Sequence, residues 1–466
     1  MKTLVTPLVI ALALVVPVAN ARYPSRRPPV DERCFTSQAV EQTIRRIKPA
    51  IADEELAWMF ENCYPNTLDT TVDYEVLDGK PDTFIITGDI DAMWLRDSTA
   101  QVWPYLPYVN RDEPLRMLVE GLVRRQTKCV LLDPYANAFY KDFSKESEWA
   151  SDRPTPQPGV HERKWEIDSL CYAVRLASEY YRLTGDASVF DADWRRSARL
   201  MVDTLRTEQR KQGTPYRFTR STSRMVDAPL FDGLGRPVKP VGLIASAFRP
   251  SDDSTLYPFL IPSNLFAVQS LRQLEAISRE VTGDTAFADE CAAFASEVQQ
   301  AIEQYAVNAH LHFGKIYAYE VDGFGNRAYW DDANVPSLMS LAYLGVHKKT
   351  DPLYARTRKF LLSEHNPYFF RGQAASGQAS PHSGHERIWP MGIILRAMTS
   401  TSDDEILDCL RMLKATHAGT GFMHEAFNKD NPDDFTREWF AWANTLFGEL
   451  IVLLHEERPN LLKPKL

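Results

Sequence analysis

The chain is 466 residues long, carries a formal net charge of −9, and is 11% aromatic with 10 tryptophans. An acidic balance argues against a nucleic-acid partner, which needs a basic patch. The abundance of flat rings suits a neutral ligand such as a sugar, although most rings in any chain are core.

Lys2, the apolar run from Leu4 to Val18, and Ala19-Asn20-Ala21 follow one another in the order of a secretory signal peptide, with a predicted cut after Ala21. The run is too short for a bilayer span and is broken by Pro7 and Pro17. No later segment is long and uncharged enough to cross a membrane. Residues 22–466 are therefore expected as a single exported domain, periplasmic or extracellular, with no membrane partner. The absence of an Asn-x-Ser/Thr sequon leans toward a bacterial product. The six cysteines show no Cys-x-x-Cys spacing, which disfavours a zinc site. Export permits disulfides, but spacing does not assign their pairing.

Helical periodicity dominates the remainder of the chain. Val40, Ile44, Ile47 and Ile51 recur at steps of three and four, as do Leu170, Val174, Ala177 and Tyr181. Leu271, Leu274, Ile277 and Val281 repeat the pattern, then Ile406, Leu410 and Leu413, and finally Trp442, Leu446, Leu450 and Leu453. Each set is one apolar stripe on a helix. Gly185 and Gly283 sit where a C-cap belongs, each followed by an Asp able to start the next helix, over Val189 to Thr207 and Ala286 to Ala306. Strand signals are few: Thr83 to Thr87, and a predicted hairpin of Ile316 to Val321 with Arg327 to Trp330. Helical hairpins without a linker point to a closed all-α fold.

Four segments hold acids, aromatics, Gly and Pro in combinations that a helix core does not need. In Thr87 to Ser98, Gly88 allows a sharp turn, and Asp89, Asp91, Trp94, Arg96 and Asp97 are suited to holding sugar hydroxyls. A calcium loop is the rival, but the remaining ligand spacing is missing. In Phe248 to Thr255, Asp252 and Asp253 are adjacent, and a neighbouring carboxylate raises a pKa, as a general acid requires. In Pro381 to Pro390, His382 and His385 hint at a metal but do not match His-Glu-x-x-His. Arg387 and Trp389 read better as a cleft wall. In Gly419 to Asn444, Glu425 follows a Gly-rich approach, and Glu438 heads an apolar helix, where an anion is welcome. Two carboxylates from distant segments, ringed by aromatics, are the equipment of glycoside hydrolysis.

These segments resemble glycoside hydrolase family 125, the exo-α-1,6-mannosidases. The resemblance runs from Arg26-Arg27-Pro28-Pro29, through Leu56 to Thr71, over nearly all of the chain. It is most specific in Gly88-Asp-Ile-Asp-Ala-Met-Trp-Leu-Arg-Asp97, Phe248-Arg-Pro-Ser-Asp-Asp253 and Phe440-Ala-Trp-Ala-Asn444. It implies an (α/α)6 barrel and release of mannose from non-reducing ends of α-1,6-linked mannosides in N-glycan or mannan fragments. It also implies inversion at the anomeric carbon, with no metal and no cofactor. The acid then falls in the Asp252-Asp253 pair, with Asp252 preferred. The base falls on Glu425, with Glu438 in reserve. Asp89, Asp91, Arg96 and Asp97 would clamp the terminal mannose, with Trp94, Asp253, Arg387 and Trp389 around it.

Overall fold

The computed structural model describes residues 23–466. The expected signal peptide lies outside the described residues. The chain alternates outer and inner segments. Helices Glu54–Cys63, Glu113–Leu132, Ala192–Thr207, Thr285–Tyr305, Pro352–Leu361 and Asp403–Ala415 lie outside. Between them run Leu95–Val102, Ile167–Thr184, Ile261–Ile277, the short turn Met339–Leu341, Pro390–Met398 and Ala441–Glu457. The first inner helix packs on the second and the second on the third. The short turn packs on Pro390–Met398, which packs on Ala441–Glu457, which returns to Leu95–Val102. The fold is an (α/α)6 barrel, as the sequence led us to expect.

Burial explains which helices go where. All eight residues of Leu95–Val102 are buried, and Pro390–Met398 exposes only Arg396 to any extent. A helix apolar or packed on every side belongs inside. Ala192–Thr207 and Asp403–Ala415 each bury one stripe, headed by Trp194 and Ile406, and turn charged residues to water. The helix ends are also set by local chemistry. Gly185 and Gly283 take the left-handed conformation, φ 68° and 72°, that stops a helix. Asp284 then accepts from Phe287 N at 3.1 Å and caps the next helix.

Three expectations need adjustment. The stripe through Val281 leaves the α-helix at Ile277 and ends in one wider turn, Ser278–Thr282. The strand read at Thr83 to Thr87 is Lys80–Ile85 and pairs with Val72–Leu77, a mostly exposed strand whose burial does not alternate. The run Ile316 to Val321 is divided between two sheets. Gly314–Tyr317 pairs with Val307–His310, while Glu320–Val321 pairs with Arg327–Ala328 and with Phe259–Leu260. All six cysteines are free thiols, five of them buried.

Residues just before or within the first turn of four of the inner helices meet at one end of the ring, with Asn334 beside them: Trp94 to Asp97, Glu166 to Asp168, Trp389, and Phe440 to Trp442. Beneath them the ring is plugged. Tyr172 packs edge-on against Phe266 and Trp442, at centroid distances of 5.1 and 6.5 Å, and its hydroxyl donates to Val335 O at 3.2 Å.

Candidate active site

At this end of the ring lies a pocket lined by carboxyls, arginines and aromatic rings. Its wall takes residues from all four segments singled out in the sequence. Trp94, Arg96 and Asp97 come from the first, Asp252 from the second, Trp389 from the third and Glu425 from the fourth. Helix N-termini around the rim favour anionic groups there.

Arg96 organises one side of this wall. Its Nη1 donates to Glu166 Oε2 at 2.6 Å and stands 3.4 Å from Asp168 Oδ2. Its Nη2 donates to Asp252 Oδ1 at 3.0 Å, and its Nε lies 3.5 Å from Asp97 Oδ2. One buried guanidinium thus serves four carboxyl groups, and burial shows in their proton affinities. Asp97 and Asp168 are each pushed up to about 6 by burial, against the pull of Arg96. Glu166, fully buried, is raised well above the carboxylate range. Asp252 goes the other way. Burial opposes its charge, but Arg96, Lys164 and a hydrogen bond from Glu166 hold it well below the usual range.

The backbone of Asp252 is itself held in the left-handed region, φ 65°, which aims its side chain away from Asp253. The adjacent acids consequently play unlike parts. Asp253 is fully buried behind the pocket wall, where its Oδ1 meets His382 Nδ1 at 2.9 Å. Burial lowers the proton affinity of His382, and the bond to Asp253, with the charges of Asp253, Glu425 and Asp252, together more than reverse that. The expectation that Asp253 raises Asp252 is therefore corrected: Arg96 governs Asp252, and Asp253 governs His382. His385, the other half of the suspected metal pair, packs on Phe370 at 4.9 Å instead.

Glu425 precedes the strand Ala426–Asn428, is 8% exposed, and lines the same pocket as Arg96 and Asp252. Arg437 stands beside it, Nε to Glu425 Oε1 at 3.5 Å, and reaches Asp89 Oδ1 at 3.4 Å. Asp89 thus bears on the site through Arg437 and is not itself part of the wall. Gly88 has φ 130°, and a side chain there would lie 3.2 Å from the Trp439 ring. Glu438 is exposed and outside the wall, so it is the weaker candidate for a site carboxylate.

Two expected sugar contacts are not placed at the pocket. Asp91 has an 81% exposed side chain and pairs with Lys145 at 3.1 Å. Arg387 donates to Asp434 O and Oδ1 at 3.0 and 2.8 Å on the strand Arg387–Ile388. Trp94 and Trp389 do face it. Trp389 Nε1 donates to Ser383 Oγ at 2.7 Å, whereas Trp94 Nε1 is buried with no partner among the described residues. An unmet buried donor is costly. Sequence reading missed Glu166, Asp168, Asn334 and the wall role of Arg437. For the first two the available signal was Trp165-Glu-Ile-Asp168, an acid pair at the start of a helix, which reads as ordinary capping.

The family model for metal-independent α-mannosidases, GH125, matches residues 53–452. The "Meiotically up-regulated gene 157 protein" of Schizosaccharomyces pombe is 42% identical over 461 residues, covering 95% of this chain and 90% of that protein. A solved metal-independent α-mannosidase of Streptococcus pneumoniae, in a non-productive complex with α-1,6-mannobiose, is 40% identical with a TM-score of 0.87. The match covers 91% of this chain and all of that one.

Proposed function

The chain belongs to glycoside hydrolase family 125, the metal-independent α-mannosidases, and from that premise we propose that it removes mannose from the non-reducing ends of α-1,6-linked mannosides, with inversion. One observation carries this reading: Asp252 and Glu425, from segments far apart in sequence, line one pocket. Asp252 is the general acid and passes a proton to the glycosidic oxygen as the C1–O bond breaks. Glu425 is the general base and takes a proton from the water that attacks C1 from the opposite face. In an inverting site the two carboxyls stand roughly 6.5–9.5 Å apart, leaving room for that water. Arg96 and Asp97 hold hydroxyls of the terminal sugar, and Trp94, Trp389 and Trp442 give it apolar surface. The bound α-1,6-mannobiose of the Streptococcus pneumoniae relative supports the linkage.

Purified protein incubated with α-1,6-, α-1,3- and α-1,2-mannobiose and isomaltose should release mannose from the first. Proton NMR of the initial product should show the β-anomer. Release of glucose alone, or of α-mannose first, contradicts the reading. Glu425→Gln should lower kcat by about 10²–10⁴-fold while the sugar still binds, and EDTA should leave turnover unchanged.

The Met1–Ala21 segment supports export, so the oligosaccharide partner is met in the periplasm or outside the cell. Protein recovered from those fractions should begin at Arg22 on N-terminal sequencing, and an intact Met1 would refute this.

A further inference from the structure

The group around Arg96 contains more acid than the assigned chemistry uses. Of its four carboxyls, Asp97 and Asp252 reach the pocket, whereas Glu166 and Asp168 lie wholly behind it. Arg96 neutralises one negative charge. The other cations facing the Glu166–Asp252 pair are Lys164, itself 3.4 Å from Glu162 Oε1, and His382, bound to Asp253. Buried charge without a partner is expelled by protonation, so the group retains protons at neutral pH. The free oxygens show where. Glu166 Oε2 is used twice, by Arg96 Nη1 at 2.6 Å and Ser169 Oγ at 3.2 Å, but its Oε1 is buried with no donor facing it. Asp168 Oδ1 is similarly bare, whereas Asp97 Oδ2 has Arg96 Nε 3.5 Å away. Of these, Glu166 is the one that hydrogen-bonds to the Asp252 carboxyl.

We infer that Glu166 is a positioning residue that keeps a transferable proton against Asp252, so that the two carboxyls behave as one acid. This rests on Asp252 being the general acid. Arg96 alone would leave Asp252 ionised and unable to donate. With Glu166 behind it, the proton crosses from Glu166 to Asp252 as Asp252 protonates the leaving oxygen. The negative charge then ends on Glu166, already bonded to Arg96 Nη1. Meanwhile the attacking water yields its proton to Glu425 and bonds to C1. After the products leave, the pair regains a proton from water through Asp252, whose side chain is 22% exposed, and Glu425 releases one. The sum is the addition of one water across the glycosidic bond.

The test compares two substrates, α-1,6-mannobiose and 2,4-dinitrophenyl α-mannoside, whose phenolate leaves without a proton. Glu166→Gln keeps the shape but has no acidic proton. It should lose kcat on mannobiose by about 10²-fold, stay within a few fold on the dinitrophenyl substrate, and move the alkaline limb of kcat/KM downward. Equal loss on both substrates, or an unmoved limb, overturns the inference. Should Glu166→Gln not fold, Glu166→Asp is read by the same two substrates. A larger loss on mannobiose supports the inference, and equal losses overturn it. Asp252→Asn, measured in parallel, separates the two levels. If it loses both substrates alike, the acid assignment fails. If it is selective and the Glu166 variant is not, the present inference alone fails.

Discussion

His382 lies on the pocket wall with its charge tied to a residue the substrate never meets. Its proton affinity is raised by Asp253, so the pair stabilises the fold fully below the ordinary histidine pKa of about 6.5. That contribution fades as pH rises through the raised value. Asp253→Asn should cost about 1.5–3 kcal/mol at pH 6 and much less at pH 9, measured by urea unfolding at both pH values. A cost that does not change with pH would show that the imidazole is not charged there. The residue scale is also where sequence reading was most uneven. Asp252 and Glu425 were legible because acids beside Gly, Pro and aromatics have little use in a helix core. Asp91 and Arg387 were over-read, since a motif string does not say which side chains of a turn point inward. Glu166 and Asp168 were under-read, since acids at a helix start have an innocent explanation.

At the scale of elements, close approach decides as much as apolar stripes. Gly448 lies in the helix Ala441–Glu457 against Tyr64, and an added methyl would sit 2.7 Å from the Tyr64 Cα and 2.5 Å from its ring. Backbone cannot yield as a flexible side chain does. Gly448→Ala should therefore destabilise by about 1–3 kcal/mol, despite the gain in helix propensity of about 1 kcal/mol. A lowered Tm in calorimetry is expected, and a raised one would mean that the two helices can part freely. Helices such as Ile167–Thr184 were readable because one repeating stripe and a stop signal suffice to define them. The strand Val72–Leu77 was not read, although Val-Asp-Tyr-Glu-Val alternates, because the run is short and it is held by its partner Lys80–Ile85. Pairing between segments is not written into either one alone, which is also why the run from Ile316 was assigned to one strand when it serves two.

At the scale of the molecule, alternation of outer and inner segments brings the starts of several inner helices to one end, and the pocket wall draws on them. That convergence could be anticipated only from the family resemblance. Helical periodicity tells which face of each helix is buried, not the order in which the helices close a ring. The stopper formed by Tyr172, Phe266 and Trp442 has a kinetic corollary. With no rear exit, a freed monosaccharide must back out through the opening by which the next chain end arrives, so each turnover waits for a vacancy. Added mannose should accordingly act as a competitive inhibitor, raising the apparent KM for mannobiose without altering kcat. Noncompetitive behaviour would instead show that mannose can be held while a substrate chain end is also bound.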